Sequence, residues 1–430
     1  MRGWLVAAVL VVAACGGKKK QRRTGDAAPV IVVPSPVFDG GAPGAATDEV
    51  EPNDSADVAT PLAVGGSARG KIEPETDADY YRIEVTQPGA LTVTTNLVDA
   101  DLTVDIEDSG GTIIAKSDRG GVRVREGVPN LGVQPGRYTA IVRKKPPPVK
   151  KTPKSKKGAP PPAPPTAAAP ISYEITATLA TPAANIEREP DDDRGTANDL
   201  IVGDTVQGFI GWTGDVDLWK LSVEALSAKN SIDIEVGGVE GVALSLELAD
   251  GVGQPLLVRK APKSSPLLVK NVMPVVPSGA PPFHYLTIKG DRSNPETHYT
   301  LRVKANPVEP DQEAEPNDTP EKAMAFPPDR KSVQGNWTAG DTDCYAIAAD
   351  VNPRTFEIEL DPREIDLAMD LLVDGKVIAK SELAGKGTKE KLSGAVPANA
   401  KAVLRVRAAA EATGEGAYEL TVREGAAGPP

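Results

Sequence analysis

Apolar and polar residues alternate with a period of two in many short segments of the chain. Tyr81, Ile83 and Val85 alternate with polar residues, and Ile232 and Ile234 belong to a similar segment. Successive side chains of a β-strand point to opposite faces, so this pattern predicts half-buried strands. The sequence contains no long amphipathic helical pattern, and we therefore predict an all-β fold.

Turn-forming residues separate several of these strand segments. Asp108-Ser109-Gly110-Gly111 stands between Leu102–Glu107 and a returning segment that begins near Thr112. Asp374-Gly375 separates two further apolar segments. Gly-Gly and Asp-Gly pairs favour the left-handed conformations of tight turns, so both sites predict β-hairpins.

One polar motif occurs three times, and it organises the chain. Glu-x-Glu-Pro-(Asn/Asp)-Asp begins at residues 49, 187 and 313, so the copies are 138 and 126 residues apart. Each copy is followed by a glycine-containing segment that we expect to turn, and then by Asp-x-Asp and an aromatic residue. Spacings of this size indicate whole domains, because solenoid repeats are only about 20 to 50 residues long.

This motif resembles that of the bacterial pre-peptidase C-terminal domain family, which includes collagen-binding modules of secreted clostridial collagenases. Copies one and three match Glu-x-Glu-Pro-Asn-Asp in full, whereas copy two has Asp191 in place of Asn. The resemblance implies three tandem antiparallel β-sandwich (jelly-roll-like) domains joined by short linkers. We place them at residues 48–181, 185–306 and 311–425. It also implies that some of these domains bind calcium through the motif.

A tract of Pro, Lys and Ala interrupts the first repeat from residue 144 to 170. The last two predicted strands of the other repeats are close in sequence. We therefore interpret the tract as an insertion in a hairpin loop and not as a domain boundary. Loop closure entropy grows slowly with length, so a hairpin tolerates such an insertion.

The N-terminus predicts export. Residues 1–14 have one positive charge, a short apolar run and small residues before Cys15, which resembles a bacterial lipoprotein signal peptide. We expect lipid on Cys15, a disordered tether at residues 15–47, and attachment to the bacterial cell envelope. Gly16 follows the cysteine, so the Asp that retains some lipoproteins at the inner membrane is absent, and the outer membrane is favoured. An ordinary secretory signal with an incidental cysteine is the alternative.

Charge is unevenly distributed along the chain. The net charge is -12, yet residues 143–157 carry eight positive charges and no negative ones. The remaining chain is therefore acidic, which argues against nucleic acid as a partner. The basic tract could meet an anionic envelope polymer, or it could be a solvated loop without a specific partner.

The repeated carboxylates predict calcium sites. Calcium takes six to eight oxygen ligands, mainly from carboxylates and carbonyls. The motif supplies such a set if its N-terminal segment folds across the Asp-x-Asp segment. The candidate ligands are Glu49, Glu51, Asn53, Asp54, Asp77, Asp79, Glu187, Glu189, Asp191, Asp192, Asp215, Asp217, Glu313, Glu315, Asn317, Asp318, Asp341 and Asp343. The alternative is that Asn53 and Asp54 only cap a turn while Asp77 and Asp79 are solvated.

Catalytic signals are weak. His284 and His298 both fall in predicted strands of repeat two, and we expect them to face each other near the last hairpin. Metalloprotease, serine-hydrolase and phosphate-loop motifs are absent from the sequence. Cys344 occupies a position that is Tyr80 and Leu218 in the other repeats, which is typical of packing and not of a nucleophile. Aromatic residues make up only 4% of the chain, which disfavours carry-over of collagen binding.

The function predicted from the sequence is that of a non-enzymatic, lipid-anchored envelope protein whose modules bind or scaffold other molecules. One alternative is a purely structural spacer with calcium-stiffened junctions. Another is a hydrolase that uses two of the clustered carboxylates, but their recurrence in all three repeats favours a structural role.

Overall fold

The computed structural model describes residues 46–146, 169–212, 214–274, 276–409 and 414–425. The predicted signal peptide, Cys15, nearly all of the predicted tether and most of the Lys/Pro tract lie outside these residues. The described residues form 28 strands. Among them there is no helix that is long and apolar enough to cross a membrane.

The strands fall into three successive modules. The first module contains β1 (Thr47–Asp48), β2 (Thr60–Pro61), β3 (Gly66–Ile72), β4 (Ala78–Val85), β5 (Gly89–Thr95), β6 (Leu102–Glu107), β7 (Ile113–Ser117), β8 (Gly127–Val133), β9 (Gly136–Lys144) and β10 (Ile171–Ala180). The second module contains β11 (Asn198–Leu200), β12 (Thr205–Ile210), β13 (Asp217–Ser222), β14 (Asn230–Val236), β15 (Leu244–Ala249), β16 (Pro255–Lys260), β17 (Leu267–Val272), β18 (Phe283–Gly290) and β19 (Asn294–Pro307). The third module contains β20 (Met324–Ala325), β21 (Ser332–Thr338), β22 (Thr342–Ile347), β23 (Arg354–Asp361), β24 (Leu367–Val373), β25 (Lys376–Ser381), β26 (Glu390–Val396), β27 (Ala402–Ala408) and β28 (Glu415–Glu424).

Each module is a sandwich of two sheets with interleaved strand order. The first module has the orders β1-β3-β10-β5-β8 and β2-β4-β9-β6-β7. The second has β12-β19-β14-β17 and β11-β13-β18-β15-β16, and the third has β21-β28-β23-β26 and β20-β22-β27-β24-β25. This alternation of strands between two sheets is the jelly-roll arrangement. The prediction of tandem antiparallel β-sandwiches is therefore confirmed.

A separate apolar core lies between the two sheets of each module. Alternating strand residues such as Ile83, Val93 and Ile106 are fully buried in the first core. Ile234 and Ile358 lie at matching places in the second and third cores. Complete burial of one such side chain contributes about 1.5–3 kcal/mol. These cores hold the sheets whose edges carry the acidic motif.

The predicted hairpins at Asp108 and Asp374 are confirmed, since β6 pairs with β7 and β24 pairs with β25. Asp374 and Gly375 have φ values of 47° and 77°, as a two-residue hairpin turn requires. The hairpin assigned to the Lys/Pro tract is wrong. Strands β9 and β10 belong to opposite sheets, so the tract joins the two sheets of the sandwich. Alternation reveals which face of a strand is buried, but it does not reveal which strand lies beside it.

Candidate metal centres

In each module the acidic motif crosses the beginning of the Asp-x-Asp strand, which is the condition that the predicted calcium sites required. The main-chain carbonyl of the fifth motif residue accepts a hydrogen bond from the residue after Asp-x-Asp. The pairs are Asn53 with Tyr80 at 3.0 Å, Asp191 with Leu218 at 3.3 Å, and Asn317 with Cys344 at 3.1 Å. The peptide bond before the motif proline is cis in all three modules. The crossing brings together carboxylates that are distant in sequence.

Three clusters of carboxylates result, and in each the contributing oxygens lie within 4.8 Å of one another. The first cluster comprises Glu49, Glu51 and Asp79. The second cluster comprises Glu187, Glu189 and Asp217. The third cluster comprises Glu313, Glu315, Asp341 and Asp343.

Two fully buried side chains in each module have an acceptor oxygen without a hydrogen-bond partner among the described residues. They are the fifth residue of the motif and the second Asp of Asp-x-Asp. The pairs are Asn53 and Asp79, Asp191 and Asp217, and Asn317 and Asp343, all 0% exposed. Leaving a buried acceptor unsatisfied costs about 1–3 kcal/mol. The same two orphaned oxygens recur in three modules, and the clusters beside them have the carboxylate oxygens that could hold a metal ion.

Core tyrosines hold the clusters from the inner side. Tyr173 donates a hydrogen bond to Asp79 at 2.5 Å, and its hydroxyl lies 2.8 Å from that of Tyr81. Tyr81 donates to Glu49 at 3.0 Å. The third module repeats this network, because Tyr418 donates to Asp343 at 2.6 Å. In the second module Trp219 takes the place of one tyrosine and donates to Tyr299 at 2.9 Å.

A glycine in the first long strand of each module makes room for these tyrosines. A Cβ on Gly70 would overlap the rings or hydroxyls of Tyr173 and Tyr81, and one on Gly335 would overlap Tyr418. Gly208 faces Tyr299 in the same way. The glycine turn expected between the two halves of the motif is present in the first two modules, at Gly65 and Gly203 with φ values of 80° and 99°. The recurring glycine that faces the tyrosines is a different one and lies inside β3, β12 and β21.

Burial makes the negative charge of the clusters unfavourable. Burial raises the pKa of Asp79 to about 8, although the hydrogen bond from Tyr173 opposes the shift. It also raises the pKa of Glu313 to about 8 and that of Asp191 to about 7. Burial and then the neighbouring carboxylates hold the pKa of Glu187 and of Asp217 well above the usual range. Such groups need either protons or a cation at neutral pH.

The structure does not bring every candidate ligand together. Asp54 and Asp192 are exposed and lie outside the clusters. Asp77 is buried, but its two oxygens accept main-chain hydrogen bonds from Glu73 at 2.8 Å and Ala78 at 2.9 Å. Asp215 is also buried and accepts from Gly211 at 2.6 Å. The alternative in which Asp77 and Asp79 are solvated is wrong, because both side chains are buried.

The histidines and Cys344 form no reactive group with one another. His284 lies in β18 and is buried, whereas His298 lies in β19 of the opposite sheet and packs against Phe209. Our expectation that the two histidines face each other is therefore wrong. Cys344 is buried, and burial raises the pKa of its thiol to about 12. A thiol in that environment stays protonated and packs as an apolar side chain.

The second and third clusters lie at the junctions between modules. The main chain of Glu189 accepts a hydrogen bond from Gly132 at 2.5 Å and donates one to Asn130 at 3.2 Å. Glu315 makes the matching pair with Met273 at 2.8 Å and Asn271 at 3.1 Å. Each motif segment thus docks on a strand of the preceding module, whereas Glu51 of the first module is exposed.

A bulge in the preceding strand shapes each of these docking sites. Strands β8 and β17 each contain one extra residue relative to their partner strand. Asn130 and Asn271 stand in these bulges with φ values of 51° and 55°. Asparagine tolerates this left-handed conformation better than most residues do. The sequence analysis missed both asparagines, since a lone Asn in an apolar strand carries no distinctive pattern.

Arg259 is the other residue that sequence reasoning missed. It lies between Leu257 and Ala261 on the inward-facing positions of β16 and its continuation, and all three are buried. Its guanidinium donates to Glu315 of the third cluster and pairs with Asp341 at 2.6 Å. The signal was available, because a charged residue at an inward position of an alternating strand needs a buried partner.

Comparisons with known proteins give only distant likenesses. No family model matches the chain, and no curated protein matches it. The pre-peptidase C-terminal domain of a Bacillus anthracis collagenase is 19% identical, with 24% of this chain and 92% of that chain covered and a TM-score of 0.20. The CUB1-EGF-CUB2 region of human MASP-1/3 is 10% identical, with coverages of 51% and 99% and a TM-score of 0.16. A Eubacterium rectale protein described as secreted is 11% identical, with coverages of 59% and 81% and a TM-score of 0.19.

Proposed function

We propose that this chain is a non-enzymatic cell-envelope scaffold whose β-sandwich modules are stabilised by calcium at the acidic motif. The observation that carries the proposal is the pair of orphaned, fully buried oxygens at the same two positions of every module. A cation bound there would satisfy these oxygens and neutralise the surrounding carboxylates.

The donor set of the first two modules suits calcium. Glu49, Glu51 and Asp79 offer carboxylate oxygens, and Asn53 offers an amide carbonyl oxygen. In the second module Asp191 replaces the amide and adds a further negative charge to the second cluster. Oxygen ligands of this kind favour hard cations such as calcium over transition metals. A bound cation would supply charge neutralisation and would tie the motif segment to the sandwich.

The burial of the second and third clusters supports a scaffold and not a hydrolase. A catalytic carboxylate must reach its substrate, yet Glu187, Glu189 and Asp217 are at most 2% exposed. The second and third clusters lie at module junctions, where they can fix the orientation of one sandwich relative to the next. This arrangement also suits the spacer alternative, in which the modules hold something else away from the membrane.

The proposed location is the bacterial outer membrane, through lipid on Cys15. This part of the proposal rests on the sequence alone, since residues 1–45 lie outside the described residues. The membrane is the proposed partner through the lipid, and an envelope polymer or protein is the proposed ligand of the modules. Cys15→Ala should move the protein out of the membrane fraction or block its processing. Unchanged fractionation with an unmodified mature N-terminus would refute the anchor.

Calcium binding by the full chain tests the central proposal. Extracellular calcium modules have dissociation constants of about 0.1–1 mM. At ten times that concentration, each occupied site adds about 1.4 kcal/mol of stability. We expect scanning calorimetry to record a calcium-dependent rise of a few degrees in melting temperature, abolished by EDTA.

A matched pair of variants identifies the site. Asp79→Ala removes a buried member of the first cluster, whereas Asp54→Ala changes an exposed residue of the same motif outside the cluster. Asp79→Ala should reduce the number of calcium ions bound in isothermal titration calorimetry, and Asp54→Ala should not. If millimolar calcium neither binds nor shifts the melting temperature of the wild-type chain, the motif is only a turn cap.

A further inference from the structure

Arg259 belongs to the second module, but most of its polar contacts are with the third. Its side chain is 1% exposed, and its guanidinium donates to Glu315 and to Asp318, the latter at 2.9 Å. It also pairs with Asp341 at 2.6 Å. Two of these three partners, Glu315 and Asp341, are members of the third cluster. The third cluster therefore already contains a positive charge that the protein itself supplies.

The strand register identifies Arg259 as a local replacement. Arg259 stands opposite Leu246, just as Ser117 stands opposite Val104 in the first module. Ser117 is buried and donates a hydrogen bond to Glu126 at 2.6 Å.

The third module has the same internal pair, formed by Ser381 and Glu390. Glu390 stands opposite Leu360, and the matching position in the second module, opposite Val236, is Leu267. The second module has thus replaced an internal Ser–Glu pair with an arginine that reaches the next module and a leucine that needs no partner.

The second cluster has no comparable cation. Within the described ranges, no lysine or arginine forms an ion pair with Glu187, Glu189 or Asp217, whereas Arg259 contacts the third cluster directly. Asp191 and Asp215 add two further buried carboxylates beside the second cluster. A concentration of buried negative charge without a counter-charge is strongly unfavourable. The second and third modules therefore share the motif but differ in whether an arginine compensates its buried negative charge.

We propose that Arg259 takes the place of the metal ion at the third cluster, so that the chain binds calcium at the first and second clusters only. This inference rests on the proposed calcium binding. A divalent cation at the third cluster would compete with the guanidinium for Glu315 and Asp341, and the two positive charges would repel each other. The junction between the second and third modules is then stabilised by the guanidinium of Arg259 and needs no metal ion. The junction between the first and second modules depends on calcium.

Isothermal titration calorimetry of the full chain with calcium chloride tests the number of sites. The wild-type chain should bind about two ions, and Arg259→Ser, which restores the serine of the other modules, should bind three. Arg292→Ser is the matched control, because Arg292 is an exposed arginine of the same module whose ion pair, in the part of the chain that the structure describes, is with Asp291. It should leave the count at two.

Hydrogen exchange of the segment around Glu315 provides a second readout that does not depend on the count. In EDTA this segment should stay protected in the wild-type chain and lose protection in Arg259→Ser, and calcium should restore the protection in the variant. Three ions bound by the wild-type chain would overturn the inference while leaving the proposed function intact. The inference would also be overturned if the Arg259→Ser chain still bound two ions and the segment around Glu315 stayed protected in EDTA. A wild-type chain that binds no calcium would overturn both proposals.

Discussion

Tyr418 donates a hydrogen bond to Asp343 at 2.6 Å, although 75 residues separate them in the chain. The bond joins the last strand of the third module to the second half of its acidic motif. Asp343 is fully buried, and its other oxygen has no hydrogen-bond partner. The hydroxyl of Tyr418 therefore holds this carboxylate from the core side, next to the neighbouring carboxyl group of Glu313.

Replacement of Tyr418 by Phe should destabilise the chain. The ring would still fill the core, but Asp343 would lose its donor, which costs about 1–3 kcal/mol for a buried polar group. Urea unfolding measures the change. Tyr80→Phe is the control, since Tyr80 is half-buried and its hydroxyl accepts a hydrogen bond from the half-buried Arg143 at 3.2 Å. If both variants lost the same free energy of unfolding, the buried hydrogen bond between Tyr418 and Asp343 would not stabilise the chain more than the half-buried one does.

Gly70→Ala should destabilise the first module. The added methyl group would overlap Tyr173 and Tyr81, and overpacking of this kind costs about 1–3 kcal/mol or more. Gly136→Ala is a suitable control, because a Cβ at Gly136 meets nothing closer than 3.9 Å. In thermal unfolding, the melting temperature of Gly70→Ala should be clearly lower than that of Gly136→Ala. A Gly70→Ala chain as stable as the control would mean that the tyrosine pair can move aside.

Without calcium, stability should fall as the pH rises from about 5 to 8. The folded-state pKa values of Asp79 and Asp191 are raised to about 8 and about 7, whereas unfolded aspartates titrate near pH 4. In this window the folded chain holds more protons than the unfolded chain, so each rise in pH favours unfolding.

Calorimetry in EDTA at several pH values measures this slope. Calcium should flatten it, because the cation replaces the protons on the carboxylates. Asp79→Asn removes one titrating group and should reduce the slope in EDTA. A melting temperature that rises with pH in EDTA would contradict the burial argument.

Deletion of residues 147–168 should leave the first module folded. The matching connection between β18 and β19 spans only Asp291–Ser293, so a short segment is sufficient to pass between the two sheets. The deletion keeps Lys145, which pairs with Asp118 at 2.7 Å and donates its main-chain NH to Asp101 at 2.8 Å. We expect a change in unfolding free energy within about 1 kcal/mol. Loss of the cooperative unfolding of the first module would show that the Lys/Pro tract contributes to its fold.

The sequence was sufficient to predict an all-β fold from its strand periodicity, whereas the sandwiches were implied by the motif's resemblance to a known family and the crossing of the two motif halves was a condition of the predicted calcium sites. It was not sufficient to predict which sheet each strand joins. The inward position of Arg259 indicated a buried partner but not which one, and the docking role of Asn130 could not be predicted, since both partners lie in another module. Strand periodicity encodes burial within a module, and only the assembled chain reveals partners outside it.

The left-handed asparagines have a consequence for the order of the modules. Strand β26 of the third module pairs with β23 in unbroken register, and no residue of β26 has a positive φ. It therefore lacks the bulge on which Glu189 and Glu315 dock in β8 and β17. The three sandwiches share one topology, but they are not exchangeable parts. If the third module were moved to the first or second place, each module would still fold. The motif of the following module would have no bulge to dock on, so the orientation of the two neighbouring modules would not be fixed.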